Sequence, residues 1–571
     1  MNPDRARIRI DPAEVLTDSK GVKWTAATVA CALIVCANLG AQQAQGPLFR
    51  ADTRLVEVNA LVVDKDGRPL EGLTSADFTV LEDGKPQQID VFAVEGSARP
   101  PAGATTTAAA PGEPGVPLAN GEYSNRAVAR AGGVTVIVLD RLNTSFEDQK
   151  LARDQVVDFL KNVGREDRIA LYVLQTGTLQ ILHEFTRDNA SLIAALGRYQ
   201  AMTSRSKQAS DATPVDLPKS GNPVEDAEFE KWLTATSQQV SAFYIRDRVE
   251  LTGAAFETIA AHLAGVHGRK NVVWVSSAFP LRIDEPQSTT TFTAELDQAA
   301  KAINGANIAI YAVDARQLRT PYERAALEPT KEAAHGRAYD ADFPKSTFEA
   351  DFRHVDTLQS VADSTGGRAF SVLGNIGKGI RQAVEDARLT YMLGYYPKDA
   401  NWDGAYHTIK VTVNRPGATI RARRGYYATR FAAADPGTSQ EALLEAIRSP
   451  LEATGLGVTA RVAKGAAANT VTVVIRPAPE AVTLTRADGR WTGALDFVIA
   501  QSLPNGQTFK TFAVKADIAL TDEQHAQMLR DGFSFDRTVA LRPDSHRLHV
   551  IVRDIPSGAT GSLIIPTKGL R

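Results

Sequence analysis

From Val134 to Leu389 the chain alternates short apolar runs with segments of helical period, and no other feature limits its folding so tightly. Val134–Leu139, Ile169–Leu174, Asn271–Val275 and Ile308–Val313 are apolar at nearly every position. A strand of that kind is covered on both faces, whereas a half-solvated strand alternates. Leu179–Leu182 and Arg368–Val372 read as further strands. Between them, Phe146, Ala152, Val156, Phe159 and Leu160 fall on one helical face, and Ser191–Tyr199, Phe243–Leu263, Phe292–Ile303, Val355–Ala362 and Ile376–Leu389 read as helices. Strands alternating with helices imply a doubly wound, mostly parallel sheet with helices on both faces. Two polar insertions, about residues 203–229 and 315–350, interrupt the pattern.

The flanks read as β. Leu55–Val63, Phe78–Leu81 and Gln88–Phe92 are short strands separated by the turn signals Asp66-Gly67 and Asp83-Gly84. Tyr391–Tyr395, His407–Val413 and Thr419–Arg423 follow the α/β region, then a short helix at Gln440–Ile447. Residues 456–571 show five to seven short strands punctuated by turns, which reads as a β-sandwich. With 571 residues the chain exceeds what one core serves. The fold class is thus α/β plus all-β. The expected units are a signal peptide at 1–45, an N-terminal β module at 50–95 packing with 390–428, a flexible linker at 96–130, the α/β domain at 131–389, a β segment at 390–430, a linker with a short helix at 431–455, and a C-terminal β-sandwich at 456–571.

The N-terminus carries Arg5, Arg7, Arg9, Lys20 and Lys23, then the apolar stretch Trp24–Ala41 and a small-residue exit through Gly40, Ala41 and Ala44. That order describes a secretory signal peptide, with a retained anchor as the alternative. Both cysteines, Cys31 and Cys36, lie inside it, so the mature chain has no thiol chemistry. Val35 before Cys36 argues against a lipoprotein. The expected location is periplasmic, cell-surface or secreted, with no stable membrane span after cleavage. Net charge is −2, which provides no general field for nucleic acid.

In an open α/β sheet ligands bind beyond the carboxyl ends of the strands. The first such strand ends in Asp140, followed by Arg141-Leu142-Asn143-Thr144-Ser145. A carboxylate leaving a buried strand needs partners, here a helix cap or loop N–H groups. The candidate partner-binding surface is Asp140, Asn143, Thr144, Ser276, Ser277 and Asp314. Other signals are weak. Gly374-Asn375-Ile376-Gly377-Lys378-Gly379 lacks the spacing of a phosphate loop. The nine histidines form no metal pair: His262 and His267 do not share a helical face, and His546 and His549 point to opposite strand faces. No nucleophile elbow occurs. Arg421 and Arg423, with Arg415, Arg424, Arg430, Tyr426 and Tyr427, read as a solvated sheet face rather than a nucleic-acid surface.

Val134-Thr135-Val136-Ile137-Val138-Leu139-Asp140 resembles the first strand of a von Willebrand factor type A (VWA) domain. Val56–Phe92, Asp140–Thr144, Phe185-Thr186-Arg187-Asp188, Tyr391–Pro397 and Ile420–Tyr427 resemble the VWFA-related domain family of Acidobacteria over roughly residues 50–430. VWA domains carry Asp-x-Ser-x-Ser on this loop, a Thr on a second loop and an Asp on a third, which together hold a divalent cation. Here Asp140 and Thr144 align with two ligands, Leu142 replaces the first Ser, and Ser276-Ser277-Ala278 replaces the third-loop Asp-Gly. The resemblance implies a degenerate metal site at Asp140, Asn143 and Thr144, with no cofactor expected beyond a vestigial Mg²⁺ position. The fold, the expected export and the lack of catalytic motifs point to an unknown protein partner at the cell envelope, with no enzymatic activity. The alternatives are an envelope hydrolase with a site in the insertions, or a structural envelope component.

Overall fold

The computed structural model describes residues 9–10, 55–95, 121–125, 133–202, 222–277, 282–316, 359–397, 404–428 and 443–570, apart from 165–166, 177, 267, 286–287, 292, 360, 364 and 371–375. The leader and both cysteines lie outside these residues except for Arg9–Ile10 (β1). So do residues 203–221, nearly all of the second insertion, most of the helix expected at Val355–Ala362, and Gly374-Asn375. Among the described residues no helix is long and apolar enough to cross a membrane.

The N-terminal β segment folds as β2 (Val56–Val63), β3 (Phe78–Glu82), β4 (Lys85–Gln87) and β5 (Val91–Glu95). Where one strand is expected at Gln88–Phe92, the chain forms β4 just before it and β5 from Val91 onward. The chain breaks there because β4 pairs with β3, while β5 crosses to the other sheet. β6 (Glu122–Ser124) lies inside the stretch expected as linker and pairs with a strand more than 330 residues on.

The central unit comprises β7 (Val134–Asp140), α1 (Phe146–Asn162), β8 (Arg168–Gln175), β9 (Thr178–Thr186), α2 (Asn189–Gly197), α3 (Pro223–Leu263), β10 (Lys270–Ser276), the hairpin β11 (Arg282–Glu285) and β12 (Ser288–Thr291), α4 (Thr293–Gly305), β13 (Ile308–Asp314), β14 (Arg368–Phe370) and α5 (Ile376–Asp386). The sheet order is β14-β13-β10-β7-β8-β9. Its first five strands run parallel and β9 is an antiparallel edge. Alternation along each strand sorts the two faces. Val134, Val136, Val138, Val272 and Trp274 pack against α3 and α4. Ile137, Leu139, Val273 and Val275 pack against α1, α2 and α5. A Cβ at Gly379 would sit 2.8 Å from Val313 Cγ2, so this glycine serves close helix–sheet packing rather than a phosphate. α3 starts some 20 residues earlier than the Phe243 expected from periodicity, because its first half lacks a core-facing pattern.

β15 (Thr390–Tyr395), β16 (Tyr406–Val413), β17 (Thr419–Arg421) and β18 (Gly425–Tyr427) then return to the N-terminal strands. They form two four-stranded sheets, β17-β2-β15-β5 and β18-β16-β3-β4, over a core of Val58, Val80, Tyr391 and Leu393. The C-terminal unit has eight strands rather than five to seven: β19 (Val458–Lys464), β20 (Thr470–Pro477), β21 (Thr485–Ala487), β22 (Arg490–Ser502), β23 (Thr508–Leu520), β24 (Phe535–Ala540), β25 (Arg547–Asp554) and β26 (Thr560–Pro566), with helix α6 (Asp522–Asp531). β1, β21, β22, β23, β25 and β26 form one sheet; β24, β20, β19 and β6 form the other. The two histidines expected on opposite faces both reach Ser502: His546 Nδ1 its carbonyl at 2.9 Å, His549 Nε2 its hydroxyl at 3.1 Å.

Both β units attach at the N-terminal edge of the parallel sheet. Arg421 ion-pairs with Asp386 at 2.8 Å. Asp386 accepts from the Tyr311 hydroxyl, which in turn accepts from Arg269. Arg423 donates to the carbonyls of Asn304 and Glu57. These arginines therefore clamp two units together and are not a solvated face, which corrects the sequence reading; long-range acceptors replace water. At the end of α3, the Thr454 hydroxyl donates to the His262 carbonyl and accepts from the Gly265 N–H. A Cβ on Gly265 would lie 2.1 Å from the Thr454 carbonyl oxygen. Gly265→Ala is accordingly expected to destabilise the protein by about 1–3 kcal/mol through forced separation of this joint. Urea unfolding measures it, and an unchanged midpoint would show that the joint gives way freely.

Candidate functional site

Among the described residues, the C-terminal edge of the sheet carries its own loops and part of α3. Asp140 is the last residue of β7, on the α3 face by alternation from Val138. Its carboxylate is filled by protein donors. Oδ2 accepts from Asn143 Nδ2 at 2.8 Å, Trp274 Nε1 at 2.9 Å and Ser276 Oγ at 2.8 Å. Oδ1 accepts from the Asn143 backbone N–H at 2.8 Å. Burial pushes the carboxyl above its ordinary range, and the donors from Asn143, Trp274 and Ser276 pull against that.

Behind Asn143 stands α3. Arg248 Nε donates to Asn143 Oδ1 at 2.9 Å, and Asn143 Nδ2 also donates to Thr252 Oγ1 at 3.0 Å. Burial lowers the Arg248 guanidinium to about 10, with Asp140 acting in the opposite direction, so it remains charged at neutral pH. A fixed positive charge thus faces the Asp140 loop at one remove, as a bound cation would. Leu142, where a VWA domain has a ligand Ser, is core with 1% exposure.

The rest of the loop is tied down as well. Ser145 caps α1 by accepting from the Asp148 N–H, so the cap role falls to Ser145 and not to Asp140. Thr144 Oγ1 accepts from the Ser277 N–H at 3.2 Å, and Ser277 Oγ donates to Asp148 Oδ2. Gln149 donates to the carbonyls of Thr144 and Met202 and accepts from the Met202 N–H. Asp314, beside Ser276 in the register, is forked by Arg316, with Nη2–Oδ2 at 2.6 Å.

The structure thus brings Asp140, Asn143, Thr144, Ser276 and Ser277 into one network and places Asp314 on the adjoining strand. All six are at most 6% exposed. Side chains this buried, with their polar atoms engaged inward, shape the loop from within rather than touch a partner. Sequence reasoning missed Trp274 and Arg248. An indole in a strand covered on both faces needs an acceptor, and an arginine beside Val249 on a core-facing helix needs one too; those were the available signals.

No protein-family model matches the chain, and no match among curated proteins was found. Among solved structures, the VWA domain of SpRpn10 aligns at 14% identity over 37% of this chain and 84% of that one, with TM-score 0.16. The open conformation of the pilus adhesin SpaC from Lactobacillus rhamnosus GG aligns at 9% identity over 78% of this chain and 54% of that one, with TM-score 0.21. The chain therefore spans about half the length of that adhesin. Both likenesses are distant, and the functional argument rests on this chain's own geometry.

Proposed function

We propose that this chain is an exported, non-enzymatic protein-interaction or adhesion module of the cell envelope, built on a VWA-like α/β unit whose cation-dependent binding has been lost. The observation that carries the binding role is on α3. Its contribution to the core begins at Ile245, and the preceding turns carry Phe229, Trp232, Val240 and Phe243 at 45%, 61%, 39% and 65% exposure. Residues 229 and 240, and 232 and 243, are each 11 apart, close to three helical turns, so the four lie on one stripe. Phe229 and Trp232 stack at 5.8 Å. An exposed apolar stripe of this kind, three of its four residues aromatic, is unusual for a monomer and fits the anchor residues of protein interfaces. Metal independence is supported by the four protein donors on Asp140 and by the Arg248 charge behind Asn143. The hydrolase alternative puts its site in insertions that lie mostly outside the described residues.

Trp232→Ser with Phe243→Ser should reduce binding of the purified protein to native envelope fractions at least tenfold, while leaving its thermal midpoint within a degree or two, since neither side chain belongs to the core. EDTA should leave wild-type binding unchanged. Full binding by the double variant would remove α3 as the contact surface; loss of binding in EDTA would reject metal independence.

A further inference from the structure

A second group of titratable side chains stands in the N-terminal β unit, far from the Asp140 loop. β3 ends in Glu82, and the chain reverses into β4 through Asp83 and Gly84, at φ 46° and 79°. This tight turn lies against β16, where the Asp83 N–H donates to the Thr408 carbonyl at 3.0 Å. The pairing sets His407 beside both acids. Its Nδ1 is 2.8 Å from Asp83 Oδ2 and 3.4 Å from Glu82 Oε1. One ligand atom from each residue falls within 4.8 Å of the others, and among the described residues no other such group of three occurs.

A second observation points to a missing ligand. The Glu82 side chain is 7% exposed. Its Oε1 accepts from the Tyr426 hydroxyl at 2.7 Å, but its Oε2 has no hydrogen-bond partner. His407 Nε2 has none either, and the buried Tyr395 hydroxyl faces Glu82 without a close hydrogen bond to it. A buried carboxylate with one oxygen lacking a donor costs on the order of 1–3 kcal/mol or more, and a cation bound to the same carboxylate reduces that cost by neutralising its charge.

The donor set and spacing identify the cation class. Two carboxylates alone would suit Ca²⁺ or Mg²⁺, which require six or more oxygens. An imidazole with two carboxylates suits zinc, held by three protein ligands with a fourth position open. Tetrahedral ligands about 2.0–2.1 Å from zinc stand about 3.3 Å apart. The Nδ1–Oε1 distance already meets that, and the Asp83 contact needs to open by about half an ångström as the ion replaces the shared proton. The carboxylates are oriented from behind, as ligating groups usually are: Tyr426 holds Glu82, and the Thr408 N–H and hydroxyl hold Asp83 Oδ1 at 2.8 and 2.9 Å. Those Thr408 bonds also keep Asp83 below the usual carboxylate range. Asp83 is 46% exposed, so solvent reaches the group.

We propose that Glu82, Asp83 and His407 form a binding site for a divalent transition-metal ion of the zinc class, which fastens the β3–β4 turn to β16. The test uses the full chain, without a polyhistidine tag and stripped of metal, titrated calorimetrically with Zn²⁺ and followed by Co²⁺ absorption. Wild type should take up one tight equivalent and show tetrahedral Co²⁺ bands. His407→Gln should lose at least a hundredfold in affinity and the bands with it. Asp83→Asn keeps a residue that tolerates positive φ and should lose at least tenfold, so the question stays open to test if the histidine variant does not fold. Absence of binding in wild type, or undiminished binding in Asp83→Asn, would overturn the site.

Discussion

Asp140→Ala should lower the unfolding free energy by about 3–5 kcal/mol, a size typical of breaking a buried charged network. The substitution removes the acceptor of the Trp274 indole N–H, the Ser276 hydroxyl and the Asn143 backbone N–H, and leaves Asn143 Nδ2 with Thr252 alone, in a site with 2% exposure. It also removes the negative charge that favours the buried Arg248 guanidinium. Asp140→Asn should fall between, because its amide turns two more hydrogens toward an array of donors. Because Asp140 and Arg248 meet through Asn143, Asp140→Asn combined with Arg248→Met should cost less than the sum of the two single changes. Urea unfolding with and without Mg²⁺ checks the point. If the loop were a working cation site, Mg²⁺ would stabilise wild type by mass action and leave Asp140→Ala unchanged. The expected result is no Mg²⁺ effect on either. A wild-type-like Asp140→Ala, or stabilisation by Mg²⁺, would defeat the view that protein donors occupy the cation's place.

The second large effect concerns the joint between the α/β unit and the C-terminal sandwich. Glu452 accepts from the Ile564 N–H at 2.7 Å, and its backbone carbonyl meets His262 Nδ1 at 2.7 Å. Burial pushes its carboxyl up to about 8, the Ile564 bond opposes this, and the Glu184 charge adds to it. The folded chain therefore holds a proton between pH 4.5 and about 8 that the unfolded chain releases. Stability from this group is fully present below pH 4.5 and is lost as pH rises through that window, by about 1.4 kcal/mol per unit. The loss reaches about 3 kcal/mol at pH 7. Glu452→Gln keeps the acceptor for Ile564 and cannot ionise, so its advantage over wild type should grow from near zero at pH 4.5 to that value at pH 7. A difference that stays constant with pH would show that Glu452 is solvated in the folded state.

Much of the architecture was legible in the sequence, and for a local reason. A wholly apolar run such as Val134–Leu139 reports a strand covered on both faces, and the spacing of Ala152, Val156 and Phe159 reports a helix on that sheet. The Asp140 loop was legible as the place to look, because a carboxylate at the end of such a strand must be accounted for. Its contents were not. Trp274 lies 134 residues from Asp140 and Arg248 lies 105 from Asn143, and nothing in their own neighbourhoods names the acceptor they found. The arginines of β17 and the residues after it read as a surface because their acceptors, Asp386 and Asn304, lie on other units. β6 read as linker because three residues carry no period.

The sequence by itself thus determined most of the strands and helices and which loop holds the buried acid, since side-chain periodicity and desolvation of a single residue act within one segment. The tertiary structure alone decided that the acid is satisfied by an indole, a hydroxyl and an amide, that α3 extends beyond the core with its aromatics exposed, and that Glu82, Asp83 and His407 meet. Each of those outcomes depends on which distant groups share a low-dielectric space, a property of strand pairing and packing across hundreds of residues rather than of local pattern.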